Sequence, residues 1–168
     1  MKVSRLYEVK LPSRGTSKSA GLDFYIPGFS EAFLTDLYTK NKDVSGWTYS
    51  LVDKTIDIYP HGKLMIPLGI RVEVPEGRAL IAFNKTGVSW KDNIINLSAV
   101  VDEDYQGQLF LTLTNYSQQI TTLHAGQKII QLLCIPVDYV SVEEVPDAEL
   151  HTEETERGHG ALGSTGAF

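Results

Sequence analysis

The chain has 168 residues, 21 of them Asp or Glu against 15 Lys or Arg, for a net charge of −6, and it carries a single cysteine. This length suits one domain able to bury its own core, and a lone cysteine excludes both an intrachain disulfide framework and a cysteine zinc cluster. The acidic balance, with Lys and Arg scattered, argues against a nucleic-acid-binding face, and no run approaches the roughly 18 apolar residues of a membrane span.

In chain order, Met1 to Lys10 carries Lys2, Arg5, Glu8 and Lys10 with no apolar stretch, so no secretory signal is expected. The Asn-X-Ser/Thr patterns at Asn84, Asn96 and Asn115 are then chance matches. The expected location is the cytoplasm, that of the host cell if the chain is viral. Ser30 suits a helix N-cap, and Phe33, Leu34, Leu37 and Tyr38 share one face before Asn41, which predicts a short amphipathic helix over 30–41. Trp47 to Val52 and Thr55 to Tyr59 predict two strands joined by a tight hairpin at Asp53-Lys54.

Further β-rich segments follow at Leu64 to Ile66, Ile70 to Val74, Ala79 to Phe83, Leu109 to Asn115, Ile129 to Ile135 and Tyr139 to Val142. Turns at Pro60-His61-Gly62, Pro75-Glu76-Gly77, Asp104-Tyr105-Gln106-Gly107 and His124-Ala125-Gly126 separate them. This punctuation predicts an all-β, jelly-roll-like barrel or sandwich rather than βαβ units. Cys134, inside the apolar run from Ile129 to Val137, is expected in the core.

Chemistry concentrates between residues 99 and 115. Ala99-Val100-Val101 delivers Asp102 into an acidic turn, Glu103-Asp104, before the alternating run from Leu109 resumes. A carboxylate fixed at the mouth of a hairpin, partly shielded from water, is suited to act as a general base. From the residues alone, Asp102 serves equally well as a turn cap, as does Asp104. A net negative charge does not exclude a small polyphosphate, because bulk charge is screened beyond about 8 Å while a few local cations act at contact; Lys85 and Arg157 are the candidates. Gly158-His159-Gly160-Ala161-Leu162-Gly163 spells a dinucleotide fingerprint, but that motif needs a preceding strand and a following helix, and only five residues remain. The pattern reads instead as either a frayed tail or a flexible glycine-rich arm over 153–168 whose backbone amides, with Arg157, Ser164 and Thr165, could wrap polyphosphate. His151 and His159 flank Glu153-Glu154 in what reads as a mobile acidic linker.

Five segments together resemble the trimeric dUTP pyrophosphatases: Ala20-Gly21-Leu22-Asp23, Asn84-Lys85-Thr86-Gly87, the run from Ala99 to Asn115, Gly126 to Leu132, and Arg157 to Gly166. The resemblance implies a single domain over 1–168 that hydrolyses dUTP to dUMP and pyrophosphate, keeping uracil out of DNA and supplying dUMP for dTMP synthesis. Asp102 would activate the water that attacks the α-phosphorus. Tyr105 would lie under the deoxyribose, and Asn96 with the backbone of residues 97–101, including Val100 and Val101, would pair with uracil beside Phe110. Lys85, Thr86, Gly87 and Gln131, with Arg157, Leu162, Gly163, Ser164 and Thr165 of the arm, complete the substrate set. Asp23 would hold Mg2+ through water, and a homotrimer would share its three sites between subunits.

Two departures stand out. Lys85 stands where the family has arginine, and Leu162 where it has a phenylalanine that stacks on uracil. Residues 29–57 read as an insertion, either a decoration packed on the β fold or a surface for a protein partner at Phe33, Tyr38 or Trp47. The nearest enzyme alternative, dCTP deaminase, needs a glutamate where this chain has Thr112. A regulatory nucleotide-binding protein is the other alternative.

Overall fold

The computed structural model describes residues 1–151 and 153–161. These fall into two compact units, Met1–Val137 and the residues from Asp138 onward.

The first unit is built from antiparallel strands. In chain order its elements are β1 (Lys2–Arg5), β2 (Leu22–Tyr25), α1 (Glu31–Asn41), β3 (Trp47–Ser50), β4 (Thr55–Ile58), β5 (Lys63–Pro67), β6 (Ile70–Glu73), β7 (Arg78–Phe83), α2 (Thr86–Lys91), β8 (Ile94–Asn96), β9 (Val100–Val101), β10 (Phe110–Asn115), β11 (Thr121–His124) and β12 (Lys128–Pro136). They form four sheets, ordered β1-β6, β5-β10-β8, β11-β4-β3 and β2-β12-β7-β9. The expected all-β class holds, although these sheets stay open and none closes into a barrel among the described residues. Period-two alternation puts Leu111, Leu113 and Asn115 of β10 inward, and Ile70 and Val72 of β6; the apolar ones join one core with Phe24, Ile56, Leu80 and Ile130, while Asn115 is buried donating to the Ile58 carbonyl at 2.8 Å.

Helix α1 starts as its sequence predicts, with the Ser30 hydroxyl accepting the Phe33 amide at 3.3 Å. Its buried stripe is narrower than expected. Phe33, Leu37 and Asn41, at i, i+4 and i+8, face the core, whereas Tyr38 is 65% exposed. Asn41 is polar yet buried because it completes the edge of β5: its Nδ2 donates to the Met65 carbonyl at 2.7 Å and its Oδ1 accepts the Met65 amide at 2.8 Å. An edge strand is thereby given ladder-like partners by a side chain.

Three further expectations are corrected. The strand predicted to reach Val52 ends at Ser50, whose hydroxyl accepts the Asp53 amide at 3.2 Å and turns the chain through 51–54 before β4. Cys134 is half-buried at the margin of the core. Tyr139 to Val142 forms no strand: the Val140 amide bonds back to Asp138 at 3.0 Å, and Val142 is 96% exposed. Alternation alone supplies no partner strand, and a tight turn takes the donor that a ladder would need. This segment opens the second unit, which contains α3 (Asp147–Leu150) and a turn in which Gly160 donates to the Arg157 carbonyl at 2.9 Å.

Candidate active site

The four-stranded sheet gathers segments that lie far apart in sequence. Its order places Leu22-Asp23 on β2, then Lys128 to Leu132 on β12, then β7 running into Asn84-Lys85, then Val100-Val101 on β9. Gln131 is the pivot: it registers with Asp23 on one side and Phe83 on the other, and its Nε2 donates to the Asn84 carbonyl at 3.2 Å. Asn84 in turn accepts the Asn96 amide on its side-chain oxygen at 2.7 Å. A residue not singled out from sequence thus ties the Gln131 cluster to the hairpin that leads to Asp102.

Asp23 is 5% exposed, and each of its oxygens carries a lysine: Lys85 on Oδ1 and Lys128 on Oδ2, the latter at 2.8 Å. Burial alone raises the pKa of a carboxyl, and it is the largest single influence here. The hydrogen bonds from Lys128 and Lys85 and their charges together outweigh it, holding Asp23 below the usual carboxylate range. The same contact raises the Lys128 ammonium above its usual value. The arrangement accounts for lysine at position 85. A guanidinium fork would occupy both oxygens at once, whereas two point charges share them. Lys128 was missed in the sequence because its reach to Asp23 depends on the β2–β12 register, which is irregular between Lys128 and Ile130.

Thr86 and Gly87 open α2, and the Gly87 Cα faces open space. The hairpin itself is tightly bonded. Asn96 turns its amide onto the loop, donating to the Ser98 carbonyl at 2.6 Å and accepting its amide at 3.1 Å, while the Ser98 hydroxyl accepts the Thr112 amide at 2.8 Å. The Ala82 amide donates to the Ala99 carbonyl at 2.7 Å, fastening the hairpin to β7. Under it lies a cavity of about 40 Å³, walled by Ala99, Val100, Val101, Phe110, Ala82 and neighbouring leucines. It has room for a few waters. Lys40 of α1 stands over the Phe110 ring, 4.8 Å from its centroid.

Asp102 leaves the end of β9 and is exposed, its carbonyl accepting the Tyr105 amide at 3.3 Å. Glu103 points the other way and accepts the Gly77 amide at 2.7 Å, pinning the turn from beneath. Tyr105 is 41% exposed and donates to the Gln108 carbonyl at 2.7 Å. It borders an open hollow of about 480 Å³ shared with Val3, Arg71 and Val72, and Asp102 is not part of that wall. Arg157 belongs to the second unit. Leu162, Gly163, Ser164 and Thr165 lie outside the described residues.

A profile of the dUTPase family matches residues 49–166. The deoxyuridine 5′-triphosphate nucleotidohydrolase of Anaplasma marginale is 28% identical over 171 aligned residues, spanning 99% of this chain and 97% of its own. The enzyme of the same description from Dictyoglomus turgidum is 35% identical over 124, spanning 70% of this chain and 80% of its own. Among solved structures, the Staphylococcus bacteriophage 80alpha dUTPase with dUpNHpp superposes with a TM-score of 0.75 at 19% identity, covering 98% of this chain and 97% of that one. At that identity the structural likeness speaks for the fold.

Proposed function

The chain belongs to the dUTPase family, as a dUTP diphosphatase, and we propose that Asp102 is the base of its reaction. Asp102 accepts a proton from water; the water oxygen forms a bond to the α-phosphorus as the bond from that phosphorus to the bridging oxygen breaks. The products are dUMP and pyrophosphate. The observation that carries this assignment is the position of Asp102, exposed at the end of the strand whose preceding residues wall the cavity beside Phe110. There a carboxylate faces solvent next to a shielded floor, the setting a water-activating base needs. Asn96 and residues 97–101 would present backbone to uracil, Tyr105 would lie under the deoxyribose, and Lys85, Thr86, Gly87 and Gln131 would face phosphate. Arg157, Leu162, Gly163, Ser164 and Thr165 would close over it. Such an enzyme keeps uracil out of DNA and supplies dUMP for dTMP synthesis.

Asp102→Asn should lower kcat by ~10²–10⁴ in a pyrophosphate-release assay with dUTP, with ammonia release from dCTP absent in both proteins. A variant as fast as the parent would remove Asp102 from the mechanism. Deamination lacks its base here, since Thr112 is paired in β10 against Met65 where a carboxylate would be required.

Magnesium is the ion this reading implies. Among the described residues no three His, Cys, Asp or Glu side chains converge, and a hydrated dication beside Asp23 would have to displace one of two lysines. The residues present do not fit a metal at Asp23 in this arrangement. We further propose a cytoplasmic homotrimer, with the hairpin of one subunit completed by the arm of another.

The regulatory alternative rests on residues 29–57, which we read as an addition to the family frame. Tyr38, Leu51 and Val52 are exposed there, and Tyr38 and Leu51 border a hollow of about 540 Å³. Phe33 is fully buried and drops out of any such surface.

A further inference from the structure

Tyr105 does not stand alone on its turn. Its ring folds back across Gly107, where a Cβ would fall 2.4 Å from the Tyr105 hydroxyl, and that hydroxyl donates to the Gln108 carbonyl at 2.7 Å. Whatever fixes Gln108 therefore fixes the ring. The backbone beside it is clamped on both sides, Leu68 donating to Leu109 and Leu109 to Ile70, each at 2.9 Å. Of the two orientations of the Gln108 amide, one satisfies both of its atoms. In it, Nε2 donates to Asp36 of α1 at 3.0 Å, while Oε1 accepts the Gly69 amide at 3.1 Å and the Tyr7 hydroxyl.

The supports of that amide are themselves held. Tyr7 leans edge-on against the buried Phe33 ring, with centroids 6.0 Å apart, and its hydroxyl lies 3.3 Å from Asp36. Burial, and then the Asp36 charge, raise the Tyr7 hydroxyl above its usual pKa, so it remains a proton donor. Gly69 has φ +65° and no room for a side chain, since a Cβ would meet the Tyr7 ring at 2.4 Å.

We propose that Gln108 is a positioning residue for sugar selection: through Asp36, Tyr7 and the Gly69 amide it fixes the carbonyl that holds Tyr105, so the ring that excludes a 2′-hydroxyl is set from α1. The inference rests on the reading above that Tyr105 lies under the deoxyribose. It adds that this discrimination is tuned by a side chain that touches no substrate and by a helix outside the cavity wall.

The test is the ratio of kcat/KM for dUTP to that for UTP, measured with the full chain. Tyr105→Ala should collapse the ratio. Gln108→Ala and Tyr105→Phe should each lower it by about fivefold, the scale of one lost hydrogen bond, and the double variant should lower it no further, because both cut the same link. Tyr7→Phe, which keeps the ring over Phe33 and deletes one hydroxyl, should lower the ratio less and leave the unfolding midpoint near that of the parent. A merely structural role would shift the midpoint of Gln108→Ala and leave the ratio untouched. If the ratio stays within about twofold in both Gln108→Ala and Tyr7→Phe while Tyr105→Ala collapses it, the positioning role is wrong. If Tyr105→Ala also leaves it unchanged, the sugar reading has failed and takes the inference with it.

Discussion

Asp23 is the residue whose environment is most sharply defined, and its protonation decides what its two lysines contribute. Its folded-state pKa lies below the unfolded one. The stabilisation is therefore complete above the unfolded value of about 3.9 and disappears as pH falls through the folded value. Because Lys85 and Lys128 keep side-chain exposures of 24% and 44%, an unpaired ammonium regains water, and the loss is smaller than for a fully buried pair. Asp23→Asn should lose about 1–3 kcal/mol at pH 7 in urea unfolding, with the gap to the parent narrowing below about pH 4. Equal stability at pH 7 would mean that the two contacts contribute nothing. At this scale the sequence was partly legible. Asp23, Lys85 and Gln131 were marked by their motifs, but that one carboxylate would hold two lysines depends on a strand irregularity no local pattern announces. Asn84 was hidden for a similar reason, since it bridges two segments that meet only through β7.

At the scale of elements, α1 shows how a helix within a β protein is secured. Its start was readable from Ser30 and its burial from the spacing of Phe33 and Leu37. The role of Asn41 was not, because a polar residue at the end of an apolar stripe looks like a helix terminus until β5 is seen beside it. Asn41→Ala strips partners from both the amide and the carbonyl of Met65 and should cost about 2–4 kcal/mol in the unfolding free energy at unchanged m. Tyr38→Ser, on the exposed side of the same helix, should change stability by less than about 0.5 kcal/mol. A comparable loss from both would mean that α1 is held by its surface rather than by its buried stripe. Helix α2 escaped sequence analysis because its six residues include Gly87, a poor helix former, and are too few to show a period. Tyr139 to Val142 erred in the opposite direction, displaying alternation yet forming no strand among the described residues.

At the scale of the whole molecule, a chain of net charge −6 that acts on a polyanionic nucleotide needs local cations to offset its own field. The sheet order β2-β12-β7-β9 concentrates two of them, Lys85 and Lys128, beside Gln131. Arg157 is carried by a separate unit. A trimer that donates its arms between subunits would bring the two together without any one chain folding back on itself. That arrangement has a consequence no single-chain site shares. Asp102→Asn and Arg157→Ala subunits, each inactive alone, should recover activity when unfolded together in equal amounts and refolded as mixed trimers. If each site draws its base from one subunit and its arm from another, chance assembly leaves both intact in about a quarter of sites. Pyrophosphate release should climb toward that fraction of the parent rate, with native mass measurements confirming three chains per particle. Mixed particles of the right mass that stay inactive would place base and arm in the same subunit.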